Sequence, residues 1–328
     1  MLCDAIGCVD TIHGALASTS KTIQLTKLGA SSILVQFQIP ELIVNRLSAE
    51  RRTQILAALC EGVSINATAR LTGASKVTIL KLLAEVGTAV LGYQRRVMVN
   101  LPCKRLQCDE IWSFIGCKER NVPRDEKGRG RGDAWTWTAI DAETKLVPCW
   151  HIGARDADAA AYFMEDLASR LANRVQLTTD GLKVYLQAIE GAFGWNGADY
   201  AMLVKLYGQG PERTVRYSPP EIIGIEKHWI MGKPEEAHVS TSYAERQNLT
   251  MRMNIRRLTR LANGFSKKIE NHKHAMALYF MYYNFCRKHQ TLTENAGGIH
   301  TTPAMAAGVS DHVWKVSEIV ALLEGNSN

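Results

Sequence analysis

The chain has 328 residues, 46% of them hydrophobic, with 39 lysines and arginines against 32 acidic residues and a formal charge of +7. That length and apolar content support one large core with a small additional domain. No run of about 18 uncharged apolar residues occurs, so no membrane span is expected.

No basic, then apolar, opening stretch predicts a secretory signal. Eight scattered cysteines do not read as a disulfide framework, and Cys103, Cys108 and Cys117 lack the spacing of a zinc pair. The expected compartment is therefore a reducing one, the cytoplasm. Charge is unevenly spread. Residues 41–105 carry ten basic against four acidic residues, and residues 245–274 carry eight against two, a net +6 in each segment. Two basic segments around an acidic body point to a polyanion such as DNA, although a solvated charged face reads similarly.

Residues 1–44 show no period and no basic bias, and are read as a non-native or disordered extension of the reading frame. Deleting residues 2–44 should leave DNA binding and catalysis intact, as a filter-binding and cleavage assay would check. Residues 45–100 predict three helices. The first covers Arg51–Cys60; the second, INATARLTG, is capped by Ser64 and closed by Gly73; the third, KVTILKLLAEVG, is capped by Ser75. Two short helices around a glycine turn predict an all-α helix-turn-helix domain, with a plain helical hairpin as the alternative. Ser75, Lys76, Thr78 and Lys81 then face bases and phosphates.

From Leu106 the pattern changes. LQCDEIWSFI, DAWTWTAIDA and KLVPCWHIGA predict three strands, the first two joined by a Gly-rich charged loop. A helix follows over Ala157–Leu171, then a strand (VQLTTDG), a helix (VYLQAIEGAF), a strand (YAMLVKLYG), an irregular loop over 209–240 and a long helix containing Glu245. This order predicts an α/β, ribonuclease H-like domain over 101–290, with a mixed five-stranded sheet and a C-terminal tail at 291–328.

Asp109, Asp180 and Glu245 fall in the order and settings needed to gather around two divalent metal ions, Mg²⁺ or Mn²⁺, for phosphodiester chemistry. Each acid alone has an ordinary alternative. Asp109 could be a solvated strand residue beside Glu110, Asp180-Gly181 a turn, and Ser242–Glu245 a capping box. Arg252 returns to the face of Glu245 two turns later, where a cation can hold phosphate. Arg246, Asn248, Arg256, Arg257 and Arg260 extend the expected DNA surface. The HKH step at His272 and His274 is poor metal geometry, because residues i and i+2 of a helix face apart. The tryptophans, including Trp112, Trp135, Trp137 and Trp150, read mostly as core.

LQCDEIWSFIG, TTDG and SYAERQNLTMRMNIRRLTRLANGFSKKIENH resemble the catalytic motifs of DDE transposases of the insertion sequence one family. The likeness covers roughly residues 45–310, and YYNFCRKHQTL and TPAMAAG are similar to a tail common among such enzymes. It implies Asp109, Asp180 and Glu245 as the metal-binding acids, with Arg252 and His272 as further catalytic positions. It also implies the element's terminal inverted repeats and target DNA as partners, and a homo-oligomer to join two ends. The chain departs from the family in lacking a four-ligand zinc finger at its N-terminus. A non-catalytic DNA-binding regulator and a purely hydrolytic nuclease remain the alternatives.

Overall fold

The apolar run beginning at Leu106 forms the central strand of the protein, β1 (Arg105–Ile115). The structure is a computed structural model and describes residues 47–195, 197–208, 221–260 and 262–324. The extension expected at 1–44 and part of the loop expected after 208 lie outside the described residues. The remaining strands are β2 (Gly132–Asp141), β3 (Trp150–Gly153), β4 (Val175–Thr179), β5 (Ala198–Tyr207) and β6 (Ile222–Met231). They make one mixed sheet in the order β3-β2-β1-β4-β5-β6. Pairing is parallel at β1–β4 and β4–β5, and antiparallel at β1–β2, β2–β3 and β5–β6.

The topology is compatible with the ribonuclease H-like expectation but corrects the strand number from five to six. The added strand lies inside the segment expected to be an irregular loop. Gly224 and the charged Glu226–Lys227–His228 step interrupt its apolar alternation, and as an edge strand it keeps Ile223, Ile225 and Trp229 exposed. The third predicted run also shortens. Leu146–Cys149 is buried but irregular, around Pro148, and only Trp150–Gly153 pairs.

Side chains alternate across β1, so each face recruits its own helices. One face carries Leu106, Cys108 and Glu110 toward α4 (Ala157–Arg170) and α5 (Val184–Phe193). There Trp137, fully buried, meets the rings of Phe163 and Tyr185 at 6.2 and 5.4 Å. The other face carries Ile111 and Ile115 into a cluster with Met251 of α6 (Ser242–Asn254) and Met276 and Phe280 of α7 (Ile269–Met281). The helix expected to run past Asn254 instead breaks at Ile255, which turns extended at φ −111° and ψ 104°. Ile255 and Leu258 pack with Met251 in the same buried cluster. Arg256, Arg257 and Arg260 consequently leave the helix bearing Glu245.

Ahead of the sheet stand α1 (Ala49–Cys60), α2 (Ile65–Thr72) and α3 (Lys76–Val97). Ser48, Ser64 and Ser75 cap them, their hydroxyls accepting from the amides of Arg51, Ala67 and Thr78. Gly73 closes α2 in the left-handed region, at φ 66°, where a Cβ would be strained. The three helices belong to the same compact unit as the sheet, Ser48–Asn328. α3 crosses α7 at Gly87, whose absent Cβ would lie 2.5 Å from the Cβ of His274. Gly87→Ala should therefore cost about 1–3 kcal/mol in urea denaturation, although alanine is favoured by about 1 kcal/mol in an open helix. The last described segment, with α8 (Gln290–Asn295), α9 (Pro303–Ala306) and α10 (Val316–Ala321), folds back so that Trp314 meets Tyr93 of α3 at 5.0 Å. The six cysteines among the described residues are free.

Candidate metal centre

Register alone brings the first two acids together. Cys108 of β1 pairs with Thr179 of β4 in parallel, and the next residue on each strand is an aspartate. Asp109 and Asp180 thus stand side by side at the carboxyl end of β4, about one strand spacing apart. Ligand oxygens of Asp109, Glu110 and Asp180 all lie within 4.8 Å of one another. Glu245 does not join that group.

Each carboxylate is oriented by named partners. The Asp109 carboxylate accepts from its neighbour's amide, Glu110 N, at 2.8 Å and from Asn248 Nδ2 at 2.8 Å. Asp180 Oδ1 accepts from the Leu182 amide at 3.0 Å. Glu110, buried on the opposite face, is held by Arg155 Nη2 and Nε at 2.6 and 2.7 Å and by the Tyr185 hydroxyl at 3.1 Å. The same guanidinium lies 3.8 Å from Asp180 and 4.8 Å from the Trp135 ring. Glu245, in the first turn of α6, accepts from Thr241 Oγ1 at 2.6 Å and pairs with Lys205 of β5. The start of that helix is capped across the sheet by Gln107 Oε1, which accepts from the amides of Tyr243 and Ala244. A capping role is thereby removed from Glu245.

Burial, then the charges of Glu110 and Asp180, push the Asp109 carboxyl from 3.8 up to about 7. Burial also raises Glu110, against the pull of Arg155. Burial pushes Glu245 upward, but its hydrogen bonds from Lys205 and Thr241 outweigh that, and it titrates below the ordinary range. A cluster of mutually repelling carboxylates, with neither thiol nor imidazole in it, is a donor set that fits a hard divalent cation. A cation there would remove the repulsion that raises Asp109.

The other expected residues separate into two groups. Asn248 and Arg252 share the α6 face toward Asp109: the first donates to it, and the second is close enough to feel its charge. Burial lowers Arg252, with Arg260 adding to the fall. Arg246, Arg256 and Arg260 are exposed, as are Ser75, Lys76 and Lys81 around the start of α3, with Thr78 half-buried. His272 is apart from the acids. It is fully buried, with its ring nitrogens 3.2 Å from Ser266 Oγ and 3.4 Å from Ser113 Oγ, and burial drives it down to about 3. Arg257 donates to the same Ser266 at 2.7 Å.

Sequence reading passed over Glu110, Arg155, Tyr185, Lys205 and Gln107. The adjacent Asp109–Glu110 pair was the one visible signal, since a strand sends neighbouring side chains to opposite faces. The others depend on which strand lies beside which.

No protein-family model matches the sequence, and no curated protein matches it. Among solved structures, the chain is similar to a piggyBac transposase in a synaptic complex with hairpin DNA, at a TM-score of 0.38 and 10% identity, over 85% of this chain and 71% of that one. A likeness so distant fixes neither fold nor activity.

Proposed function

We propose that the protein is a DNA transposase of the DDE type, binding the terminal inverted repeats of a mobile element and cutting and joining DNA at Asp109, Asp180 and Glu245. The observation that carries this reading is the meeting of Asp109, within β1, and Asp180, just past the end of the parallel strand β4, beside the helix that bears Glu245 and whose Asn248 donates to Asp109. Divalent Mg²⁺ or Mn²⁺, two ions in the full complement, supplies charge neutralisation and activation of water and of the leaving oxygen.

The chain's own residues do the rest. Asp109 must be ionised to serve, and its position near neutrality makes that a pH-dependent step. Asn248 fixes the orientation of the Asp109 carboxylate, as Arg155 and Tyr185 fix Glu110. Arg252, half-buried on the same helix face, holds the scissile phosphate. Water attacks phosphorus while the P–O3′ bond breaks, and the departing oxygen takes a proton to become a free 3′-hydroxyl. That hydroxyl then attacks a target phosphate in the same site, exchanging one phosphodiester for another. No covalent protein–DNA bond is needed, and joining two ends calls for at least two protomers.

The α2–α3 pair acts as the recognition unit, with Lys76 and Lys81 on phosphate. Changing both to glutamine should make the log–log salt dependence of DNA binding shallower by roughly two, read by anisotropy, while metal-dependent chemistry on preformed complexes persists. An equal loss of both activities would argue against separate recognition and chemistry.

The deciding experiment incubates the full chain with labelled terminal-repeat DNA, target DNA and Mg²⁺ or Mn²⁺. Strand cleavage followed by joined products supports the transposase. Cleavage without joining identifies a hydrolytic nuclease, and binding without cleavage identifies a regulator.

A further inference from the structure

A cleft of about 460 Å³ lies between the N-terminal helices and the segment that follows α6, within the range of roughly 300–1,000 Å³ usual for ligand sites. Among the described residues four cations line it, Lys76, Arg256, Arg257 and Lys267, and no aspartate or glutamate does. None of the four has an ion-pair partner among the described residues. Arg257 reaches only the Ser266 hydroxyl, and burial alone pulls it down to about 10. A desolvated guanidinium without a counter-charge is unfavourable, and an anion brought to it relieves that cost.

The rest of the cleft is not suited to a bare anion. Half-buried Leu80 and Phe265 line it, with Leu83, Leu278 and Tyr279 buried behind them, and Asn263 and Asn271 are among its lining residues. An apolar lining that includes one half-buried aromatic ring, together with amides and four cations, complements a base joined to a phosphate. The cleft also borders the expected DNA face. Lys76, Leu80 and Leu83 recur at i, i+4 and i+7 on one side of α3, whereas Val77 and Lys81 are exposed. DNA lying across the start of α3 therefore passes the mouth of the cleft.

We propose that this cleft takes one unstacked nucleotide, its base against Leu80 and Phe265 and its phosphate against Arg257 and Lys267. The inference rests on the DNA-acting reading above and adds to it a second contact site, apart from the acids. Withdrawal of a nucleotide from the stack is easiest at a DNA end or in a single strand.

The test is photo-crosslinking of the full chain, without metal, to a single-stranded 12-mer carrying 5-iodouracil, with adducts mapped by mass spectrometry. Adducts on Phe265 are expected, falling at least about fivefold in Ala275→Trp, which narrows the cleft, and in exposed Lys267→Glu. Adducts that persist under excess free dUMP assign the site to a DNA-borne nucleotide, and adducts lost to dUMP assign it to free nucleotides; both support the site. Adducts only elsewhere, adducts undiminished in both variants, or no adducts at all would overturn it. Metal-dependent cleavage, measured on the same preparation, separates the two proposals. Cleavage with adducts elsewhere removes only the nucleotide cleft, and adducts at Phe265 without cleavage remove only the catalytic reading.

Discussion

Replacing Asp109 or Asp180 with asparagine is expected to lower metal-dependent DNA cleavage by at least about 10³-fold while leaving DNA binding in place. Asparagine keeps the shape of the side chain and one acceptor oxygen, so the contact with Asn248 can survive at position 109. What disappears is the charge that holds a divalent cation, whose stabilisation of the transition state amounts to several kcal/mol. At about 1.36 kcal/mol per decade, that loss is three orders of magnitude. Glu245→Gln should act in the same direction, since Lys205 and Thr241 keep that carboxylate ionised. Single-turnover cleavage of labelled terminal-repeat DNA gives the rates. Parent-like cleavage by Asp109→Asn would remove that residue from the chemistry.

The same substitution should make the protein more stable, in a pH-dependent way. The Asp109 carboxyl is raised, by burial first and by Glu110 and Asp180 next, from 3.8 to about 7. A raised group gives its full contribution to folding below its unfolded value, and that contribution is lost as pH rises through the folded value. The loss at Asp109 therefore runs from about pH 4 to about pH 7. Above that window the folded protein carries a half-buried, repelled charge that asparagine does not have. At pH 8 without divalent metal, Asp109→Asn should be about 2–4 kcal/mol harder to unfold in urea than the parent, and at pH 4 the two should nearly coincide. Mg²⁺ should close the gap from the other side by stabilising the parent alone. A gap that stays constant between pH 4 and pH 8 would place its origin outside this carboxyl. Such a gain in stability with a loss of activity is the usual mark of a residue kept for chemistry.

The features legible in the sequence share one property: their signal is local. Serines 48, 64 and 75 announce helix starts because a cap is read within three residues. Asp109 and Asp180 stand out because an acid inside, or at the end of, an apolar run has no place in a plain strand. The partners of those acids were not legible, because they are set by the register of strands distant in sequence. Arg155 reaches Glu110 across 45 positions and Asn248 reaches Asp109 across 139. The sixth strand escaped notice for a different reason. At the sheet edge, β6 can keep charged residues and glycine inside it, so its alternation is weak. The break at Ile255 was equally hidden, since Met251, Ile255 and Leu258 keep the spacing of one helix face and no proline or glycine interrupts the run before Gly264. With that break, Arg257 moves from an expected DNA-facing helix to the wall of a cleft.

The most direct test of the central claim is to locate Mn²⁺ by anomalous diffraction from crystals of the full chain grown or soaked with that ion at pH 8. The account predicts an anomalous peak between the carboxylates of Asp109 and Asp180, lost in Asp180→Asn. Mn²⁺ bound only at other acids, with that cleft unvisited by metal, would contradict it.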